Sequence, residues 1–216
     1  MIKESIDAIS DPVTGQCIVF CERTASRIAG ELFVRPGGFV PVHVHASQWE
    51  RFEGVSGQIV FRLGRKRRTL GAGDVLVVPP GSAHGLRNVG REAAHFLIEL
   101  SPPRRGEEGL RALFGLQRDG RVHVTRFAAR PLLQVAVLFD EYLDEVHLPV
   151  VPIRVQRLAF GVLARIGRRR GYGSAFPEYA RRIEIEDVQS YTRLNSGSRG
   201  GRPRATASRS QKRGQR

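Results

Sequence analysis

Two imidazoles and a carboxylate stand close together in the run PVHVHASQWE, as His43, His45 and Glu50. Alternate side chains of a strand leave on the same face, so His43 and His45 project together. Glu50 follows after Ala46, Ser47, Gln48 and Trp49, enough chain to turn and bring a second strand alongside as a hairpin. A third histidine, His84, comes later, in GDVLVVPPGSAHGLRN. Three imidazoles and one carboxylate suit a first-row transition metal better than calcium or magnesium, which prefer oxygen ligands. Such a set leaves one or two positions of a five- or six-coordinate ion open to water, dioxygen or a chelating substrate.

The elements that must position these side chains read as short strands. Cys17–Cys21 (CIVFC), Ile28–Arg35 (IAGELFVR), Phe39–His45, Gln48–Gly54, Gln58–Leu63 (QIVFRL), Asp74–Val78 (DVLVV) and Ala93–Leu100 (AAHFLIEL) are separated by Gly, Pro and polar breaks. On the strand after the His pair, Glu50 and Phe52 share one face and Arg51 and Glu53 the other, which makes Glu50 the inward carboxylate. Gly64–Arg68 (GRKRR) reads as a solvated hairpin tip. Pro80-Gly81 fits the two central positions of a type II turn, which would swing His84 back toward the site. Trp49, Phe52 and Phe61 are candidates for a pocket wall or for plain core. His95, His123 and His147 fit no ligand pattern. His95 and Glu99 share a face of the last strand, as outer groups of the site or as a solvent or interface pair.

Two spaced motifs run through these strands. Gly37, His43-x-His45, Glu50 and Gly57 form the first, and Gly73, Pro79-x-Gly81, His84 and Asn88 the second, with fifteen residues between Gly57 and Gly73. At every position they resemble the two motifs of the cupin superfamily, and the spacing is similar to that of small bacterial single-domain cupins. The resemblance covers roughly residues 28–101. It implies a mainly β fold, a double-stranded β-helix or jelly-roll barrel, with His43, His45, Glu50 and His84 as ligands of one divalent transition metal (Fe, Mn, Ni, Cu or Zn). It also implies a small-molecule substrate or ligand in the barrel, and Glu50 as a catalytic base in addition to a ligand, as in some dioxygenases.

Charge and composition bound the remainder. The net charge of +14 is uneven: residues 1–105 carry 14 basic and 10 acidic groups, residues 106–189 carry 13 and 11, and residues 190–216 carry 8 basic and none acidic. The excess sits in the tail, which argues against a specific nucleic-acid-binding domain. No run reaches the ~18 apolar residues of a membrane span, and the first residues carry neither a basic region nor an apolar block, so a cytoplasmic protein is expected. Cys17 and Cys21, the only cysteines, are spaced unlike a redox or zinc motif and read as two strand thiols.

The expected organisation is a barrel over 1–105, a short α-helical extension over 106–189 and a disordered basic tail over 190–216. In the extension, Glu107–Leu116 reads as a short helix. Leu132, Ala136, Phe139, Leu143 and Val146 form the stripe of an acidic helix, and Ile153–Arg169 forms a basic one. Val155, Leu158, Ala159, Val162, Leu163 and Ile166 are its expected buried stripe, packed on the barrel or on a second subunit, which leaves a homodimer open. Three functions fit: a metal-dependent oxygenase resembling quercetin dioxygenase-like cupins, a non-catalytic binding or sensing module, and a membrane-surface or nucleic-acid-associated protein using Arg154–Arg170 and the tail. Isomerase, decarboxylase or hydrolase chemistry could use the same metal set.

Overall fold

The computed structural model describes residues 5–123, 129–180 and 183–192; the expected tail lies outside these residues from 193 onward. Alternating apolar side chains build two sheets in which every pairing among the described residues is antiparallel. One sheet holds β2 (Ala8–Asp11), β3 (Gln16–Arg23), β4 (Ile28–Val34), β6 (Trp49–Ser56), β9 (Val75–Val78) and β11 (Ala94–Ser101), in the order β2-β3-β4-β11-β6-β9. The other holds β5 (Phe39–His45), β7 (Ile59–Leu63), β8 (Lys66–Leu70), β10 (His84–Arg87) and β12 (Val146–His147), in the order β12-β5-β10-β7-β8. A two-residue pair, β1 (Ser5–Ile6) with β13 (Ile183–Glu184), stands apart.

The inward residues of both sheets form one core, including Ile18, Leu32, Val34, Phe52, Ile59, Phe61, Leu70, Leu86 and Phe96. The basic hairpin tip is shorter than the sequence suggests: β7 and β8 pair from Leu63↔Lys66 onward, so only Gly64 and Arg65 turn and Arg67 and Arg68 are strand residues. Cys17 and Cys21 both lie on β3.

Behind the barrel stand α1 (Gly106–Arg118), α2 (Ala129–Tyr142), α3 (Ile153–Arg169) and α4 (Ile185–Thr192). Phe114 of α1 joins the barrel core. Arg111 of α1, almost buried, bonds Asp7 at 2.6 Å and Glu107 at 2.8 Å, and Arg23 of β3 reaches the same two carboxylates. A second small core, with Leu116, Val122, Leu138, Tyr142 and Tyr179, joins α1 to α2. Two sequence expectations change here. Val146 continues no helix, because α2 ends at Tyr142 and Val146 enters β12, hydrogen-bonded beside β5. The basic helix does not bury its apolar stripe: Gln156, Ala164 and Gly167 face inward, while Val155, Leu158, Ala159, Val162 and Ile166 are exposed. Small residues decide this, since a Cβ at Gly167 would stand 2.8 Å from Cγ2 of Val137, and only glycine lets the two helices approach so closely.

At the C-terminal side the helix continues past the expected tail boundary at 190. Tyr191 is buried with Ala8, Cys17 and Val188, and the guanidinium of Arg35 lies 3.7 Å from its ring centroid. Tyr191→Ala should therefore destabilise the protein by about 1–3 kcal/mol, seen as a fall of several degrees in thermal melting. An unchanged melting temperature would show that α4 contributes nothing to the folded body.

Candidate metal centre

His43 and His45 leave β5 on its inner face, as the period of two requires. His84 on β10 stands directly opposite His43 in the antiparallel register, and the two rings lie 4.3 Å apart. The turn before His84 is the one the sequence indicates: Gly81 has φ +77°, and the Ser82 N–H donates to the Pro79 carbonyl at 3.2 Å. The Gly81 N–H also donates to the His45 carbonyl at 2.8 Å, tying the turn to the histidine strand.

Glu50 arrives by a different route from the one expected. β5 and β6 are not hairpin neighbours; β5 pairs with β10 and β12, and β6 with β11 and β9. The chain passes from one sheet to the other through residues 46–48, so Glu50 faces the imidazoles across the barrel instead of lying alongside them. A four-residue gap serves a sheet-to-sheet crossing as readily as a hairpin, and the motif does not distinguish the two. Gln48, fully buried, holds the crossing by donating from Nε2 to the carbonyls of Pro102 (2.9 Å) and Pro103 (3.3 Å). The face assignment on β6 holds: Glu50 and Phe52 point inward, while Arg51 and Glu53 pair outside at 2.6 Å.

The four side chains converge, with one nitrogen or oxygen from each lying within 4.8 Å of the others. Nε2 of His84 is 2.7 Å from Oε2 of Glu50, and Nε2 of His45 is 3.6 Å from the same oxygen. Nε2 of His43 is 3.1 Å from Nε2 of His45. The outer nitrogens matter as much. Nδ1 of His43 lies 2.8 Å from the Pro41 carbonyl, and Nδ1 of His84 lies 2.8 Å from the Ser82 carbonyl. A carbonyl only accepts, so both Nδ1 atoms carry protons; the neutral His43 ring directs a lone pair from Nε2 into the cluster, and Nε2 of His84 faces Glu50, sharing a proton with it unless a metal ion takes that proton's place. This is how metal-ligating histidines are oriented by their surroundings. Nδ1 of His45 is buried without a hydrogen-bond partner among the described residues. Convergent lone pairs around a carboxylate fit a cation, and the cluster could hold a metal.

The electrostatics agree. Burial, and then the neighbouring rings of His84 and His45, push the pKa of His43 down to about 3, so it is neutral at physiological pH. Burial also disfavours a charge on His84, but the hydrogen bond and charge of Glu50 outweigh it and raise its pKa. For Glu50, burial works against ionisation and is overcome by the His84 hydrogen bond and the nearby imidazoles, which leave its pKa below the usual range.

Of the expected wall residues, Phe61 lies parallel to the His84 ring (centroids 6.1 Å apart, 4° between planes) and Phe52 meets Phe61 edge-on at 5.0 Å. Trp49 is not in the wall: it is about half exposed on the outer face of β6. His95 stacks on Phe33 and faces Glu31 on the outside of the same sheet, and Glu99 meets Arg27, so neither joins the cluster. Val146, read in the sequence as helical, is paired opposite His45. A two-residue strand carries no periodicity by which it could have been found.

Residues 30–99 match the family model of the cupin domain. With the two-sheet barrel, this match identifies a cupin domain over that part of the chain. No curated protein matches the chain. Among solved structures, the chain is similar to KdgF from a Halomonas species (21% identity over 46% of this chain and 89% of that one, TM-score 0.43). It is also similar to an RmlC-like cupin from Shewanella frigidimarina (22% identity, 49% and 89%, TM-score 0.42). A predicted oxalate decarboxylase from Thermotoga maritima is a third (22% identity, 47% and 98%, TM-score 0.39). No helix among the described residues is long and apolar enough to cross a membrane.

Metal-free protein should take up close to one divalent ion per chain by elemental analysis, and His84→Ala should lower this sharply. Full occupancy with both His43→Ala and His84→Ala in place would refute the ligand set. Because Glu50 favours a proton on His84 in the metal-free state, metal addition in weak buffer near neutral pH should release protons, and affinity should rise with pH as that proton leaves.

Proposed function

We propose that this cupin is a metal-dependent enzyme of dioxygenase type, acting on a small organic substrate held in the barrel beside His43, His45, Glu50 and His84. The observation that carries this reading is the placement of Glu50, the one carboxylate among four converging side chains. When bound, a divalent iron, manganese, copper or nickel ion would supply Lewis acidity and redox capacity, and zinc Lewis acidity alone, at positions the four side chains leave open. The protein supplies the remainder. The Pro41 and Ser82 carbonyls hold two rings in one tautomer and orientation. Phe52 and Phe61 keep water from one side of the cluster. Glu50, its pKa held below the usual range, would accept the proton of a substrate hydroxyl or enol on its carboxylate.

A second reading, a non-catalytic binding or sensing module, draws support from β12. That strand belongs to the helical extension and is paired with β5 at His45, so a ligand that moved His45 would act on the helices directly. Isomerase or decarboxylase chemistry at the same centre is a variant of the first reading.

Glu50→Gln separates these readings, since it keeps size and an oxygen but removes charge and basicity. For a dioxygenase, protein loaded with iron or manganese consumes dioxygen with an enolic or polyphenolic compound, and Glu50→Gln abolishes turnover while most of the metal stays. Product without oxygen uptake would point to isomerase or decarboxylase chemistry. Thermal stabilisation by ligand, with neither oxygen uptake nor product across several metals, would establish the binding module instead.

A further inference from the structure

The helix α3 turns its apolar side away from the protein. Its inner side rests on α2 through Gln156, Ala164 and Gly167, with Phe160 stacked on Phe139 at 5.0 Å between ring centroids. On the outer side Val155, Leu158, Ala159, Val162 and Ile166 fall within an arc of about 100° at 3.6 residues per turn. All five are exposed, Leu158 to 71%, and the ridge continues into the preceding loop, where Val150 is 88% exposed.

The charge on the helix itself has one sign. No acidic residue occurs anywhere in Ile153–Arg169. Arg157 and Arg168 are engaged by Asp144 at 2.6 Å and Asp140 at 2.7 Å. Arg154, Arg165 and Arg169 have no ion pair among the described residues; Arg154 and Arg165 lie along one margin of the ridge, and Arg169 stands at its C-terminal end. Next to them is a depression of about 690 Å³ lined by Leu158, Gly161, Val162, Arg165 and Arg169 together with Arg157, Arg168 and the carboxylate of Asp140, which pairs with Arg168. Aliphatic side chains, a depression of headgroup size and arginines thus lie side by side.

We propose that this face is a docking surface for an anionic lipid bilayer. Val150, Leu158 and Val162 would enter the acyl boundary, while Arg154, Arg165 and Arg169 meet lipid phosphates with their stems laid along the ridge. Charge excludes the other occupants the chain could offer. Residues 190–216 carry 8 basic groups and no acidic one, and so are repelled by the arginine margin. A second copy laid antiparallel along the ridge brings Arg154 of one molecule toward Arg169 of the other, with no acid on either helix to offset them. A convex ridge needs no matching groove in a bilayer, whereas an acidic protein would have to supply one.

The test is flotation of the full-length protein with vesicles of phosphatidylcholine alone or with about one-third phosphatidylglycerol. Binding should be at least tenfold tighter to the anionic vesicles and weaken with salt. Leu158→Ser with Val162→Ser, both surface changes, should keep the melting temperature and cut binding about tenfold or more without altering charge. Arg154→Gln, Arg165→Gln and Arg169→Gln together should cut it similarly and leave neutral vesicles unaffected. Wild-type binding by both variants would overturn the proposal and assign the attraction to basic residues elsewhere in the chain. Absence of vesicle binding would also overturn it. If light scattering then gave a wild-type dimer that Leu158→Ser with Val162→Ser dissociates, the ridge would be a contact between copies.

Discussion

The constraint on which the centre depends is electrostatic. Lone pairs from three imidazoles and the charge of a carboxylate are directed into one small, largely buried volume. Two of the rings donate their Nδ1–H groups to backbone carbonyls, through the Pro41 and Ser82 contacts. Such an arrangement is costly unless a positive charge joins it, either a proton held between His84 and Glu50 or a metal ion. Much of the nearby backbone serves to keep the arrangement from relaxing. The turn at Gly81 is hydrogen-bonded to the His45 carbonyl, and the buried amide of Gln48 fastens the crossing between sheets to the chain at Pro102 and Pro103.

What the sequence made legible follows from periods. A period of two along β5 and β6 gives the shared face of His43 and His45, and separates inward Glu50 from outward Glu53 whatever the neighbouring strands are. The turn at Pro80-Gly81 was legible because only one backbone conformation suits that pair. Strand partnership was not legible, since a short gap after a strand allows either a hairpin or a passage to the opposite sheet. That choice depends on side chains far away, such as the packing of Gln48 beneath Pro102. Aromatic residues were partly legible: parity placed Phe52 with Glu50, and the same parity sends Trp49 outward with Arg51.

The helices show a different limit. An apolar stripe predicts burial only when area outweighs fit. For α3, close approach through Ala164 and Gly167, ring stacking of Phe160 on Phe139 and ion pairs to Asp140 of α2 and to Asp144 just beyond it select the less apolar side. Hydrophobic pattern and packing disagree there, and such local conflict is a recognised mark of surfaces under a demand other than stability.

The pairing of β12 with β5 has a consequence for how the chain divides. The shift in periodicity near residue 105 looks like a seam at which a barrel could be excised. Cutting there would strip the outer neighbour from the strand that carries His43 and His45, exposing a valine-rich β edge to other molecules. It would also withdraw Phe114 from the barrel core that includes Phe52, Phe61 and Phe96. β12 and Phe114 thus tie the helical extension to the barrel, and a fragment ending near residue 105 would lack both.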